Sequence, residues 1–171
     1  MRSIALLPIL LLACDGPQGP PPAKVGSPQQ VKDTSLMDLN KRIAEREALD
    51  IERWVQRQGV SMEGSGTGLR YKLIRDVEGA PAKPGQYAAV RYSLLLLSGD
   101  TAYTSGPKPE RFLIEEDDVE SGLHEGVQFL SPGDSAVLVI PSHLAHGLLG
   151  DEARIPPRST VVYYIVLDEL K

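Results

Sequence analysis

The stretch HLAHGLLGDEARIPP, residues 143–157, gathers the side chains best suited to chemistry: His143, His146, Asp151 and Glu152, with Ser142 just before it and His124 upstream. A metal site would use the His-x-x-His spacing, but two loop histidines without further ligands at matching spacing do not specify one. Nucleophilic catalysis by Ser142 would need a sharp, glycine-flanked elbow of the GxSxG kind, which the sequence around it lacks. What remains is a loop whose His146 lines a pocket, bent at Gly147 and Gly150 and fixed at its exit by Pro156 and Pro157. His143 is expected to face solvent, and neither metal nor cofactor is expected. The acidic run EEDDVE, 115–120, reads as a solvated loop, with attraction of basic segments as its alternative role.

These residues must be held by the apolar runs around them. From Leu69 onward the apolar period shortens towards two. LRYKLI (69–74), YAAVRYSLLLL (87–97), RFLIE (111–115), SAVLVI (135–140) and TVVYYIVLDEL (160–170) read as strands between Pro/Gly turns. ESGLHEGVQFL (120–130) reads as a short helix with Leu123, Val127 and Leu130 on one face. Five strands and one short helix predict an α+β domain, an antiparallel five-stranded sheet wrapped around a helix.

Ahead of that domain, Ser35 and Asp38 have capping-box-like spacing and Gly59 is a stop signal, predicting a helix over about 36–57. Leu36, Leu39, Ile43, Ile51, Trp54 and Val55 form its apolar stripe, interrupted by Arg46 and Glu47. The stripe is expected to pack on its own domain; the alternative is a homodimer through this N-terminal helix. EGSGTG, 63–68, is expected to be a flexible joint.

The chain opens with one basic residue and an apolar run, Ile4 to Ala13, too short for the roughly 20 residues of a spanning helix. It reads as an export signal over 1–13. LLAC, 11–14, resembles a bacterial lipobox and makes Cys14, the single cysteine, the lipidation site of a membrane anchor. Residues 14–34, rich in Gly, Pro and Gln, read as a flexible tether, 35–66 as helix and joint, and 67–171 as the folded domain. The expected location is the cell envelope: anchored to the inner or outer membrane, domain in the periplasm or at the cell surface. A net charge of −5 over 171 residues leaves no footprint for nucleic acid.

From residue 67 on, the chain resembles the FKBP-type peptidyl-prolyl cis-trans isomerases. GVQFLSPGDSAVLVIPSHLAHG followed by IPPRSTVVYYIVLDEL is similar to their C-terminal half, and PGQYAAVRYSLLLLSGDTAYTS to their central strand and its sequel. With the lipobox and preceding helix, the chain most resembles the lipoprotein branch, in particular the gliding-motility-associated isomerase lipoproteins of Bacteroidetes. The resemblance implies rotation about X–Pro amides of proline-containing polypeptides, assisting the folding of exported proteins. No bond is made or broken. The barrier is about 18–20 kcal/mol, and an apolar pocket that strips water from the amide, with an N–H on the substrate carbonyl, favours the less polar twisted form.

The resemblance carries the pocket onto Tyr92, Tyr103, Phe112, Val119, Glu120, Leu123, His146, Ile155 and Tyr163, with Thr104 beside Tyr103. Several of these depart from the family pattern: the usual floor Trp is Leu123, the Phe-Asp pair is Tyr103-Thr104, the loop Tyr is His146, the last-strand Phe is Tyr163, and the usual Ile is Glu120. Glu120 is expected to keep the backbone donor role with its side chain turned outward, and His146 to donate where the Tyr hydroxyl does. A Leu floor removes a flat aromatic surface, so reduced activity and poor binding of macrolide inhibitors are expected; the alternative is a non-catalytic module or chaperone that binds proline segments or unfolded clients.

Overall fold

The structure, a computed structural model, describes residues 33–171; the expected export signal and Cys14 lie outside the described residues, as does nearly all of the expected tether. Helix α1, Asp33–Gln58, precedes seven strands: β1 Glu63–Gly64, β2 Arg70–Arg75, β3 Tyr87–Leu96, β4 Thr101–Thr104, β5 Glu110–Leu113, β6 Ser135–Ile140 and β7 Val161–Leu170. Helix α2, Ser121–Val127, follows β5, and a single 3₁₀ turn, Ser142–Leu144, follows β6. The strands form one antiparallel sheet in the order β1-β2-β6-β7-β3-β4, with β5 pairing β3 beside β4. No described helix is long and apolar enough to cross a membrane.

The α+β architecture is as expected, with two strands more than predicted. β1 lies inside the predicted joint, and β4 is four residues past a tight turn, too short for its period to register. The joint is fastened rather than loose: Glu63 and Gly64 pair with Tyr71 and Arg70, the Tyr71 hydroxyl donates to Glu63 at 2.6 Å, and the Thr67 hydroxyl reaches Glu125 at 2.7 Å.

β6 is apolar from Ala136 to Ile140 because both its faces are covered. Ala136, Leu138 and Ile140 point into the main core with Leu69, Val90, Leu94, Phe112, Leu123, Val127, Ile165 and Leu167. Val137 and Val139, with Val162 of β7, meet Ile51 and Trp54 of α1 on the opposite face. Docking of α1 is confined to its C-terminal half: Ile51 and Trp54 are 4% and 7% exposed, whereas Leu36 and Leu39 are 55% and 51% exposed. The predicted stripe therefore packs on its own domain only in part. Its midpoint interruption has a cause: Glu47 accepts hydrogen bonds from the Ser142 backbone N–H (2.7 Å), the Ser142 hydroxyl (2.9 Å) and the Thr160 hydroxyl (2.6 Å). A carboxylate, not an apolar residue, ties the helix to the domain there.

α2 lies directly on β6 because Gly122 and Gly126, one turn apart, face the sheet. A Cβ at Gly122 would stand 2.2 Å from Ile140 Cγ2, and one at Gly126 2.4 Å from Leu138 Cδ1. Gly126→Ala is therefore expected to lower the unfolding free energy by about 1–3 kcal/mol, the usual penalty of overpacking, despite alanine's better helix propensity. A denaturant titration showing equal or greater stability would refute the close-packing account.

Candidate active site

A cavity of about 230 Å³ opens between the inner face of β3, β5 and α2. Register explains its walls. Tyr92 pairs with Ile165 and Leu94 with Tyr163 across β3 and β7, which sets the Tyr92 and Tyr163 rings side by side on the inner face, 5.3 Å apart and tilted by 56°. Phe112 comes from β5, Leu123 from α2, Val119 and Glu120 from the segment entering α2, Tyr103 from β4 and His146 from the loop after the 3₁₀ turn; all line the cavity.

Eight of the nine predicted residues thus converge. Ile155, at 2% exposure, is buried in the same core as Phe112, Leu123 and Tyr163 and does not itself line the cavity. Val90, Leu94, Glu110 and Arg111 line the cavity and were missed. Val90 and Leu94 were legible in principle, sharing the inward parity of Tyr92 on β3. Glu110 was not, since only the fold brings it to Tyr92. A wider cleft of about 390 Å³ between α1 and the strand ends has Glu47, Asp50 and Arg46 in its wall, the groups that dock or solvate the helix.

Glu120 turns inward, contrary to expectation. Its Oε1 accepts the Tyr163 hydroxyl at 2.9 Å and lies 2.8 Å from His146 Nε2. That second contact has ion-pair distance without hydrogen-bond alignment, so the buried Nε2 has no hydrogen-bond partner. His146 therefore faces Glu120 instead of standing free to donate. Three departures from the family pattern, at 120, 146 and 163, are thus one polar set. The backbone N–H of Glu120 has no acceptor among the described residues, which leaves it available to a carbonyl in the cavity.

Across the cavity, the Tyr92 hydroxyl donates to Glu110 Oε2 at 3.0 Å. Burial, reinforced by that carboxylate, pushes the Tyr92 phenol up to about 12. Burial and the Glu120 charge push the Tyr163 phenol further in the same direction. Both tyrosines are neutral donors at physiological pH.

The loop over the cavity is strapped to β4. The Tyr103 hydroxyl donates to Asp151, whose other oxygen accepts the backbone N–H groups of Ala153, Arg154 and Ile155 at 2.9, 2.9 and 2.7 Å. Arg154 donates to the Ala102 carbonyl at 2.8 Å, its guanidinium 5.3 Å from the Tyr103 ring centre. The Tyr103 hydroxyl first, then the backbone donors, hold the Asp151 carboxyl far below the usual carboxylate range; the Tyr103 phenol is raised in return. A depressed carboxyl stabilises the fold above its unfolded pKa of about 3.9 and loses that contribution as pH falls through the folded value. The thermal-stability deficit of Asp151→Asn relative to the native protein should therefore be constant from about pH 5 to 9 and shrink below about pH 4. A deficit still undiminished well below that range would exclude the linkage. For Tyr103 the sign reverses: its contribution holds below about pH 10 and fades as pH rises through its raised value.

The histidines have separate tasks. His124, buried, accepts the Glu115 backbone N–H at Nδ1 (2.9 Å), while its Nε2 donates to the Asp117 carbonyl (3.0 Å), pinning the acidic loop to α2. His143 is exposed as expected, with Nε2 3.2 Å from the Thr67 carbonyl. Ser142 donates its hydroxyl to Glu47. The acidic loop's Glu115 to Asp118 are exposed.

Comparison with known proteins places this geometry. The family model "FKBP-type peptidyl-prolyl cis-trans isomerase" matches residues 78–168. The chain is 30% identical over 120 residues to the FKBP-type 22 kDa peptidyl-prolyl cis-trans isomerase of Escherichia coli, covering 70% of this chain and 57% of that one. It is 32% identical over 106 residues to a probable FKBP-type isomerase, FkpA, of Neisseria meningitidis, covering 60% and 38% respectively. The crystal structure of FkpA from Escherichia coli superposes with a TM-score of 0.65 at 29% identity, covering 82% of this chain and 66% of that one. The chain spans 38% and 57% of the length of these two curated relatives. With the model matching more than half of the sequence, and its strands and α2 forming the walls of the cavity, the chain belongs to the FKBP-type peptidyl-prolyl cis-trans isomerase family.

Proposed function

We propose that this chain isomerises X–Pro bonds in exported polypeptides, with reduced efficiency. One observation carries the reading: a single cavity combines walls from Tyr92, Phe112, Val119, Leu123 and Tyr163 with an unengaged Glu120 N–H. A prolyl ring entering it leaves water behind. The planar amide, the more polar form, loses more solvation than the twisted one, and the N–H holds the carbonyl as conjugation is lost. Leu123 covers the floor less completely than a large ring would. A protease-free isomerisation assay on a proline tetrapeptide should show modest acceleration, increased several-fold by Leu123→Trp. No acceleration by the native protein overturns the catalytic reading; high activity indifferent to Leu123→Trp overturns the reduced-efficiency part.

The Glu110 and Glu120 carboxylates within the cavity favour a second reading, a binding module or chaperone for unfolded clients. Aggregation suppression of a proline-free client that survives Tyr92→Ala and His146→Ala, in a protein without isomerase activity, would select it.

On the same reading the chain is laid out as export signal 1–13, tether 14–34, helix and joint 35–66 and isomerase domain 67–171, with a lipid anchor at Cys14 as in the lipoprotein branch and a cell-envelope location. Acyl labelling abolished by Cys14→Ser tests this. Exposed Leu36, Met37 and Leu39 on α1 support homodimerisation through that helix, which sedimentation of native and Leu39→Glu protein would decide.

A further inference from the structure

The cavity is unusual in holding two carboxylates for a ligand ring that carries no charge. Each is only partly engaged. Glu110 takes the Tyr92 hydroxyl and Glu120 the Tyr163 hydroxyl, while a carboxylate offers about four acceptor positions. Among the described residues no Lys or Arg lies within 4.0 Å of either. Arg111, which lines the same cavity, is turned to Glu169 at 3.2 Å. The facing His146 Nε2 is itself buried without a hydrogen-bond partner. Glu110 stands at the exposed rim of the cavity and Glu120 deeper in it, so two carboxylates face the cavity with neither Lys nor Arg against them among the described residues.

We infer that this cavity selects prolyl segments with Lys or Arg immediately before the proline, whose side chain reaches the Glu110 and Glu120 carboxylates. The inference rests on the isomerase reading above for its register. If the Glu120 N–H holds the carbonyl of the residue before proline, that residue's side chain starts beside Glu120. A long flexible stem ending in three or more donors then lies along the tyrosine rings with its head between the carboxylates. Each tyrosine hydroxyl already donates to its own carboxylate, and the cation would take the remaining acceptor positions, adding to the network without displacing it.

The test is a tetrapeptide series identical but for the residue before proline: Lys, Arg, Gln, Leu and Glu. The native protein should show kcat/KM about tenfold higher for Lys and Arg than for Gln and Leu at low ionic strength, as for a charge-assisted hydrogen bond. Glu should be poorest, and the advantage should shrink in salt. In Glu110→Gln and in Glu120→Gln, which keep side-chain volume, the Lys-to-Leu ratio should fall towards one; as a ratio within one protein it is insensitive to partial loss of fold. A flat profile, Leu ahead of Lys, or a Lys-to-Leu ratio unmoved in both variants overturns the inference while leaving the isomerase reading intact. If no peptide is isomerised, that reading fails separately. Calorimetric affinities for the same peptides then decide the inference: Lys and Arg tighter than Leu sustains it, and equal or weaker binding overturns it.

Discussion

Glu47→Ala is expected to cost on the order of 3 kcal/mol of stability and to loosen α1 from the domain. The substitution removes a carboxylate that satisfies three donors at once: the Ser142 N–H and hydroxyl and the Thr160 hydroxyl. Ser142 and Thr160 are 8% and 5% exposed, so water reaches them poorly once the carboxylate is gone. Hydrogen bonds to a charged group contribute about 1.5–3 kcal/mol each, and a donor left buried without a partner adds its own desolvation cost. Solvent admitted by the vacated volume offsets part of the total. Against the 5–15 kcal/mol typical of a domain this is a large fraction. Trp54, the single tryptophan, sits two turns further along the same helix at 7% exposure. Its emission should therefore shift to the red in Glu47→Ala well below the main unfolding midpoint, and amide exchange along α1 should rise. Glu47→Gln, keeping one acceptor oxygen, should fall between the two. An unchanged midpoint and unchanged emission would show that Ile51 and Trp54 alone hold the helix.

Replacing Glu120, His146 and Tyr163 together by Ile, Tyr and Phe is expected to raise isomerisation of a Leu-Pro peptide by about tenfold or more, equivalent to about 1.4 kcal/mol of transition-state stabilisation. The three side chains form one polar set, with Tyr163 donating to Glu120 and His146 facing the same oxygen. Changing them singly breaks it badly. Tyr163→Phe alone leaves Glu120, largely buried, without its hydrogen-bond donor, and should cost stability without improving catalysis. The triple change removes the carboxylate together with both groups that face it and leaves the new tyrosine hydroxyl as the one polar group among the three, which strengthens desolvation of the amide while keeping the backbone N–H at residue 120. Strong non-additivity between single and triple variants, in both stability and kcat/KM, is the signature of such a set. Additive effects, or a triple variant no faster than the native protein, would count against it.

Much of this was legible in the chain itself. Continuous apolar runs marked β6 and β7, and their runs are continuous because one face meets α2 and the other, in part, α1. The cavity residues on strands came from the resemblance to the family, position by position, and not from periodicity. What the sequence could not convey was side-chain direction where a residue had been replaced. Glu120 alone suggests a charge seeking water; only the joint presence of Tyr163 and His146, 43 and 26 residues downstream, makes the inward rotamer favourable. Tyr103 and Asp151, 48 residues apart, likewise become a strap only in three dimensions. Ile155 is buried because the loop folds back on Asp151, which draws the Ile155 backbone N–H to its carboxylate and the side chain into the core. Glu47 looked like a flaw in an apolar stripe because its partners belong to segments about 95 and 113 residues away.

The short outer strands bear on how readily another chain could add itself to the sheet. One rim of the sheet is formed by β4 and β5, four residues each, and the other by the two residues of β1. The remaining open stretch is the later part of β2, where Lys72 and Arg75 bracket two apolar residues and the register to β6 shifts between Leu73 and Arg75. Long, flat rims with unpaired backbone groups invite a stray chain to add itself as a further strand; short, cationic and irregular ones discourage it. On the proposed function, a prolyl segment held in the cavity would find no template for its remaining residues along the sides of the sheet.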